Sequence, residues 1–132
     1  MILLDTHALV WWLLSPEELT ERARLIIGDR DNKLWISVAS VYEIEYKRDR
    51  DVSLQRFPKN IPGTIPTFGF EWLEIDAADL FCAARFDKRH SDPWDRIIAA
   101  QAQQRDLLLM TSDRNLTRAC QAWQVPTLWC RA

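Results

Sequence analysis

Ile2-Leu3-Leu4-Asp5-Thr6-His7-Ala8 opens the chain with an apolar run of three residues that a carboxylate ends at once. The run reads as a short buried strand with Asp5 at its end. Four further runs of branched and aromatic residues bounded by polar or turn residues repeat the pattern: Leu34–Ser37, Trp72–Ile75, Leu107–Thr111 and Thr127–Trp129. Between them lie helical patterns. Ser15-Pro16-Glu17-Glu18 reads as a helix start, with Leu19, Ala23, Ile26 and Ile27 on one face and Gly28 at the end. Apolar residues at three- and four-residue spacing predict helices over Val38–Arg48, Asp76–Phe86, Pro93–Gln104 and Asn115–Trp123. Strands alternating with helices predict an α/β domain in three layers, with a parallel sheet of about five strands covered on both faces. The alternation fails from Asp51 to Phe70, where Pro58, Pro62 and Pro66 and two glycines predict a loop or short helical turns.

Length and composition narrow the function. A chain of 132 residues is one domain, 1–132, and 48% hydrophobic residues suffice for a continuous core. Its 19 acidic and 17 basic side chains are spread evenly over both halves, so bulk charge does not announce a nucleic-acid binder. With only Gly28, Gly63 and Gly69 there is neither a Walker loop nor a Gly-rich dinucleotide fingerprint, which argues against ATPases, kinases and NAD enzymes. Cys82, Cys120 and Cys130 form no Cys-x-x-Cys pair and read as free or buried thiols in a reducing cytoplasm. The apolar run Ala8–Leu14 is too short to span a bilayer, so no membrane association is expected.

The placement of carboxylates is the informative feature. In a parallel sheet, helix starts lie on the same edge as strand ends. Asp5 follows the first strand and Asp113 the fourth; Glu43 falls early in the helix after the second strand, and Asp92 and Asp95 bracket Pro93 at a helix start. Each has a bland reading. Asp92 and Asp113 suit N-caps, Asp95 suits a helix dipole, and Glu43 suits a capping box with Ser40 or an ion pair with Lys47. Jointly, carboxylates crowded at one edge repel unless a cation neutralises them. Hard oxygen ligands select Mg²⁺ or Mn²⁺, and the chemistry that uses such a cluster is phosphodiester hydrolysis. His7 and His90 read as polar neighbours of this edge and not as ligands.

At these residues the sequence resembles the PIN-domain family, and within it the VapC toxins of type II toxin–antitoxin systems. The resemblance is carried by the opening segment with Trp11-Trp12-Leu13, by Ile36-Ser37-Val38-Ala39-Ser40-Val41-Tyr42-Glu43-Ile44, by His90-Ser91-Asp92-Pro93-Trp94-Asp95-Arg96 with the helix that follows, and by Leu109-Met110-Thr111-Ser112-Asp113. It implies a PIN-like fold in which Asp5, Glu43, Asp95 and Asp113 are catalytic acids. Asp5, Asp95 and Asp113 would hold metal, with Asp92 an outer or second-metal ligand and Thr6 and Thr111 in support. It further implies an Mg²⁺-dependent endoribonuclease cutting tRNA or ribosomal RNA, a homodimer, a cognate antitoxin partner and a cytoplasmic location.

Bases in two segments suit phosphate contacts: Lys47, Arg48 and Arg50 in a stretch 47–59 of local charge +3, and Arg85, Lys88 and Arg89, with Arg96 beyond. A solvated face with internal ion pairs is the plainer account of the same residues. Trp94, between Asp92 and Asp95, suits stacking on a base or flanking an antitoxin residue, although burial is the commoner fate of Trp. Of the adjacent Trp11 and Trp12, one is expected to face the sheet and one a partner. Two other functions share parts of this pattern. A receiver-type phosphoacceptor domain also puts acids at strand ends, but it wants an acidic pair after the first strand and a late Lys, and no Lys follows Lys88. A non-toxin PIN-fold module for RNA binding or processing would not need the full acidic set.

Overall fold

The computed structural model describes all residues, 1–132. Five parallel strands, β1 (Ile2–Leu4), β2 (Leu34–Ser37), β3 (Glu71–Leu73), β4 (Leu108–Thr111) and β5 (Thr127–Trp129), form one sheet in the order β3-β2-β1-β4-β5. Seven helices flank it: α1 (Thr6–Leu14), α2 (Glu21–Gly28), α3 (Val38–Lys47), α4 (Ile61–Thr64), α5 (Ala77–Arg85), α6 (Pro93–Gln104) and α7 (Arg114–Trp123). None is long and apolar enough to cross a membrane.

The two-residue period of a strand divides the core between two layers. Ile2 and Leu4 join Ile36, Met110 and Leu128 in a cluster with Ala8 and Leu9 of α1 and Ala23 and Ile27 of α2. Leu3 and Leu109 pack on the opposite face with Ile98 and Ala102 of α6 and Leu116, Cys120 and Trp123 of α7. This is the expected three-layer α/β/α arrangement. The chain runs from β1 outward to β2 and β3, then returns to place β4 on the other side of β1. The reversal makes a crevice at the carboxyl ends of β1 and β4, where open α/β sheets bind ligands.

Several elements differ locally from the sequence reading. Ser15 makes no side-chain cap, and Pro16–Glu18 is one 3-10 turn. The reason is Leu19, which is fully buried and bridges Arg131 in extended conformation while the Thr20 N–H bonds the Cys130 carbonyl at 2.9 Å. The helix restarts with Thr20 as its cap, accepting from the Ala23 N–H at 3.1 Å. β3 lies at Glu71–Leu73 because its ladder pairs Glu71 with Trp35 and Leu73 with Ser37, leaving Ile75 to lead into the Asp76 cap of α5. The Pro-rich stretch folds into the short helical turns expected of it, closed by Gly69 at φ 92°, a left-handed conformation that favours glycine. Phe57, Ile61 and Ile65 from this stretch are buried in the first core layer, which makes it part of the core. Trp11 and Trp12 are both half-buried against that same cluster and do not divide between sheet and surface.

Buried Asp79 ties α5 to α6. It completes a capping box with Asp76 and takes a two-pronged ion pair from Arg105, whose Nη1 and Nη2 stand 2.7 and 2.9 Å from its oxygens. Burial alone would push this carboxyl up, but the Arg105 hydrogen bonds and charge hold it below the usual carboxylate range.

Candidate active site

Asp5 sits one residue past β1, buried, and its own N–H continues the ladder to the Met110 carbonyl at 2.9 Å. Its two oxygens are held separately: Oδ1 accepts the Thr6 N–H at 2.7 Å and Oδ2 accepts the Thr111 hydroxyl at 2.8 Å. Thr111 also receives the Asp113 N–H on its hydroxyl oxygen at 3.1 Å, so one side chain at the end of β4 fixes both acids across the crevice. Thr6 does the equivalent for Glu43. Its hydroxyl donates to Glu43 Oε1 at 2.7 Å and lies 2.8 Å from the Ser40 hydroxyl. The helix cap at this point is Ser37, which accepts from the Ala39 N–H, and not Ser40. Ser40 is spent on tying α3 to α1. The second Glu43 oxygen receives Lys47 Nζ at 2.8 Å, the expected i,i+4 pair.

Asp92 and Asp113 are N-caps, as the bland reading had them. Asp92 Oδ1 accepts from the N–H groups of Trp94 and Asp95, and Asp113 Oδ1 from those of Asn115 and Leu116. Each cap uses one carboxylate oxygen and leaves the other without a protein donor, so capping and cation binding do not compete. Asp95, in the first turn of α6, is buried, and its Oδ2 lies 2.8 Å from His90 Nε2. One ligand atom from each of His90, Asp95 and Asp113 lies within 4.8 Å of the others, close enough for all three to hold one metal ion.

The electrostatics of this crevice are unbalanced. Burial, reinforced by the charges of Asp5, Asp92, Asp113 and Glu43, pushes the Asp95 carboxyl up from 3.8 to about 8. Burial also raises Asp5, against the lowering effect of its hydrogen bonds to Thr111 and Thr6. Apart from Lys47 on Glu43, the donors around these acids are hydroxyls, amides and an imidazole. A divalent cation fits such a donor set, since it supplies the positive charge that the protein withholds. The three cysteines are free; Cys120 and Cys130 are buried, and burial pushes both thiols up to about 12, which leaves them inert.

Of the candidate phosphate-binding bases, two are committed elsewhere. Arg96 is buried and donates to four carbonyls, of Ala83, Phe86, Asp87 and His90, which pins the end of α5 and the segment that leads from it to His90. Arg48 donates to the carbonyls of Leu54, Phe57 and Pro58 and pairs with Glu45. Neither has a guanidinium to offer a phosphate. Lys47, Arg50, Arg85, Lys88 and Arg89 are exposed, with Arg50 over the Tyr46 ring, Arg85 over Phe81 and Arg89 paired with Asp87. A cavity of about 390 Å³ beside Thr6 and Glu43 is lined by His7, Trp11, Lys47 and Arg56 among others. On the far side of Asp92 a second, of about 590 Å³, is lined by Arg89, His90, Asn115 and Arg118. His90, expected as a polar neighbour of the acidic edge, stands five residues before Asp95 and meets its carboxylate.

The chain resembles several solved structures throughout its length. FitAB bound to an IR36 DNA fragment superposes with TM-score 0.73 at 20% identity, over 98% of this chain and 94% of that one. DNA-bound VapBC from Salmonella typhimurium gives 0.70 at 18% identity over 98% of both chains. A toxin–antitoxin complex from Klebsiella pneumoniae gives 0.60 at 21% identity over 86% and 87%. At such identities the likeness is one of fold. No curated protein matches the sequence. The PIN domain family model matches residues 2–122, a span that begins with β1 and takes in every acid of the crevice, and the chain therefore belongs to the PIN domain family.

Proposed function

We propose that this PIN domain is a divalent-metal-dependent endoribonuclease and the toxin of a type II toxin–antitoxin pair, cutting tRNA or ribosomal RNA. The observation that carries the nuclease reading is the convergence of Asp5, Asp95 and Asp113 from three distant segments on the crevice between β1 and β4, with too little positive charge to balance them. When bound there, Mg²⁺ or Mn²⁺ supplies Lewis acidity to a phosphodiester and acidity to water. Asp95 and Asp113 would hold it, with His90 able to reach the same ion and Asp5 beside them; Asp92 would serve as an outer ligand through its uncapped oxygen. Thr111 and Thr6 orient Asp5 and Glu43, and the Glu43–Lys47 pair would take up a proton or steady a phosphate oxygen. The exposed cations Lys47, Arg50, Arg85, Lys88 and Arg89 position the RNA backbone.

The toxin reading is supported by structural neighbours that are a toxin–antitoxin complex and a VapBC complex. It entails a cognate antitoxin, a homodimer and a cytoplasmic site of action. The test is RNA cleavage by the purified chain. Cutting is expected with Mg²⁺ or Mn²⁺ and not in EDTA, and Asp5→Asn and Asp95→Asn are expected to abolish it with circular dichroism unchanged. Cutting in EDTA, or full activity in both variants, rejects the metal-nuclease reading. Expression that leaves growth unaffected by an active enzyme rejects the toxin reading and leaves the nuclease.

A further inference from the structure

One imidazole stands among the crevice acids. His90 Nε2 lies 2.8 Å from Asp95 Oδ2, and ligand atoms of His90, Asp95 and Asp113 fall within 4.8 Å of one another. Neighbouring ligands of a six-coordinate ion with bonds of about 2.1 Å stand about 3 Å apart, so the His90–Asp95 spacing is already that of two groups sharing one ion. The ring is held from behind. Its side chain is 12% exposed, its backbone carbonyl accepts Arg96 Nη1 at 2.7 Å, and the Trp123 ring, itself stacked on Phe86, meets it edge-on with planes at 82°. Nδ1 has no protein partner, so it can carry the proton of a neutral imidazole and leave the Nε2 lone pair facing the crevice.

We infer that His90 is a direct nitrogen ligand of the crevice cation, and that this ligand makes the site select Mn²⁺ over Mg²⁺. The inference deepens the metal-nuclease reading and rests on it. Two observations favour a ligand over a hydrogen-bonding partner of Asp95 alone. The other acids have less to give: both oxygens of Asp5 accept protein donors and those of Glu43 are spent on Thr6 and Lys47, so without His90 only Asp95 and Asp113 bring ligand atoms this close together. Charge points the same way. Asp95 already stands in the field of Asp5, Asp92, Asp113 and Glu43, and a neutral imidazole adds a donor without adding to that repulsion. Mg²⁺ prefers oxygen ligands and gives up its waters reluctantly, whereas first-row transition ions, Mn²⁺ among them, accept imidazole more readily. Selection therefore lies with the nitrogen.

The test is electron–nuclear double resonance on the Mn²⁺-loaded chain, prepared with natural and with nitrogen-labelled histidine. A directly bound imidazole should give a nitrogen coupling that changes from the pattern of the natural isotope to that of the label. His7 is the one other histidine; His7→Gln should keep the coupling and His90→Gln should lose it. Calorimetric titration should show Mn²⁺ bound at least about ten-fold more tightly than Mg²⁺ by the wild type. His90→Gln, which offers an amide oxygen at nearly the same reach, should lose about ten-fold in Mn²⁺ affinity and less than about three-fold in Mg²⁺ affinity. Bound Mn²⁺ without histidine coupling in the wild type, or equal losses for both ions in the variant, overturns the inference and leaves His90 as a hydrogen-bonding partner of Asp95. A chain that binds neither ion rejects the metal-nuclease reading itself.

Discussion

Removing the charge of Asp95 should stabilise the metal-free protein, and the gain should grow with pH. The folded chain holds the Asp95 proton up to about pH 8, whereas the unfolded chain releases it near 3.8. Between those values the folded state binds more protons than the unfolded one, so raising the pH favours unfolding. This is the reverse of a salt-bridged carboxylate. A shift of this size corresponds to roughly 6 kcal/mol at full ionisation, an upper bound. The hydrogen bond between His90 and Asp95 at 2.8 Å, together with water entering the crevice, offsets much of it. About 1–3 kcal/mol is expected for Asp95→Asn at pH 8, which at this chain length raises Tm by about 3–10 °C.

The assay is scanning calorimetry in EDTA from pH 5 to pH 8. Wild-type Tm should fall across that interval and the variant's should fall less, so that the two converge at the acid end. Adding Mn²⁺ at pH 8 should then raise wild-type Tm and leave Asp95→Asn nearly unmoved, because only the ionised site gains by mass action. A variant that melts at or below the wild type at pH 8 without metal would refute the reasoning, since the site would then carry no unbalanced charge.

Thr111→Val keeps the shape of a fully buried residue but removes the hydroxyl that serves Asp5 and Asp113; it should cost about 2–4 kcal/mol in urea denaturation at pH 7, with the m-value unchanged. Arg96→Gln strands the carbonyls of Ala83, Asp87 and His90 and should cost at least about 3 kcal/mol, while the salt dependence of RNA binding by the folded variant should stay that of the wild type, because the Arg96 guanidinium is buried on those carbonyls.

What the sequence carried about this site is the part that follows from strand ends and helix starts. Asp5, Asp95 and Asp113 could be placed on one edge because the apolar runs before them are too short to be anything but strands, and because Pro93 and its flanking acids mark a helix start. What it did not carry depends on partners far along the chain. Ser15-Pro16-Glu17-Glu18 has every local mark of a helix start, yet the demand of Leu19 for the core overrides it. Arg96 and Arg48 look like surface cations in a list of bases, because nothing local reveals that loops will turn their carbonyls toward them. Ser40 and Ser37 are equally good caps by type; the register of β2 decides between them, since the helix begins where the strand stops.

The same separation explains why capping and chemistry coincide here. Three acids elsewhere in the molecule are balanced by cations: Asp79 by Arg105, Asp87 by Arg89, Glu71 by Lys33. At the crevice, Asp5, Asp92 and Asp113 are fixed instead by amide and hydroxyl donors, which orient a carboxylate without cancelling its charge. A helix N-terminus is the cheapest way to do this, because its first N–H groups need acceptors in any case. An acid at such a position is rigid, retains one oxygen for a ligand, and keeps nearly its whole negative charge. Asking whether Asp92 and Asp113 are caps or ligands therefore poses a false choice. Capping is what allows several like charges to be held close together in a folded chain, and Asp95, which lacks a cap of its own, registers its burial first and the neighbouring charges second as a carboxyl that keeps its proton to about pH 8.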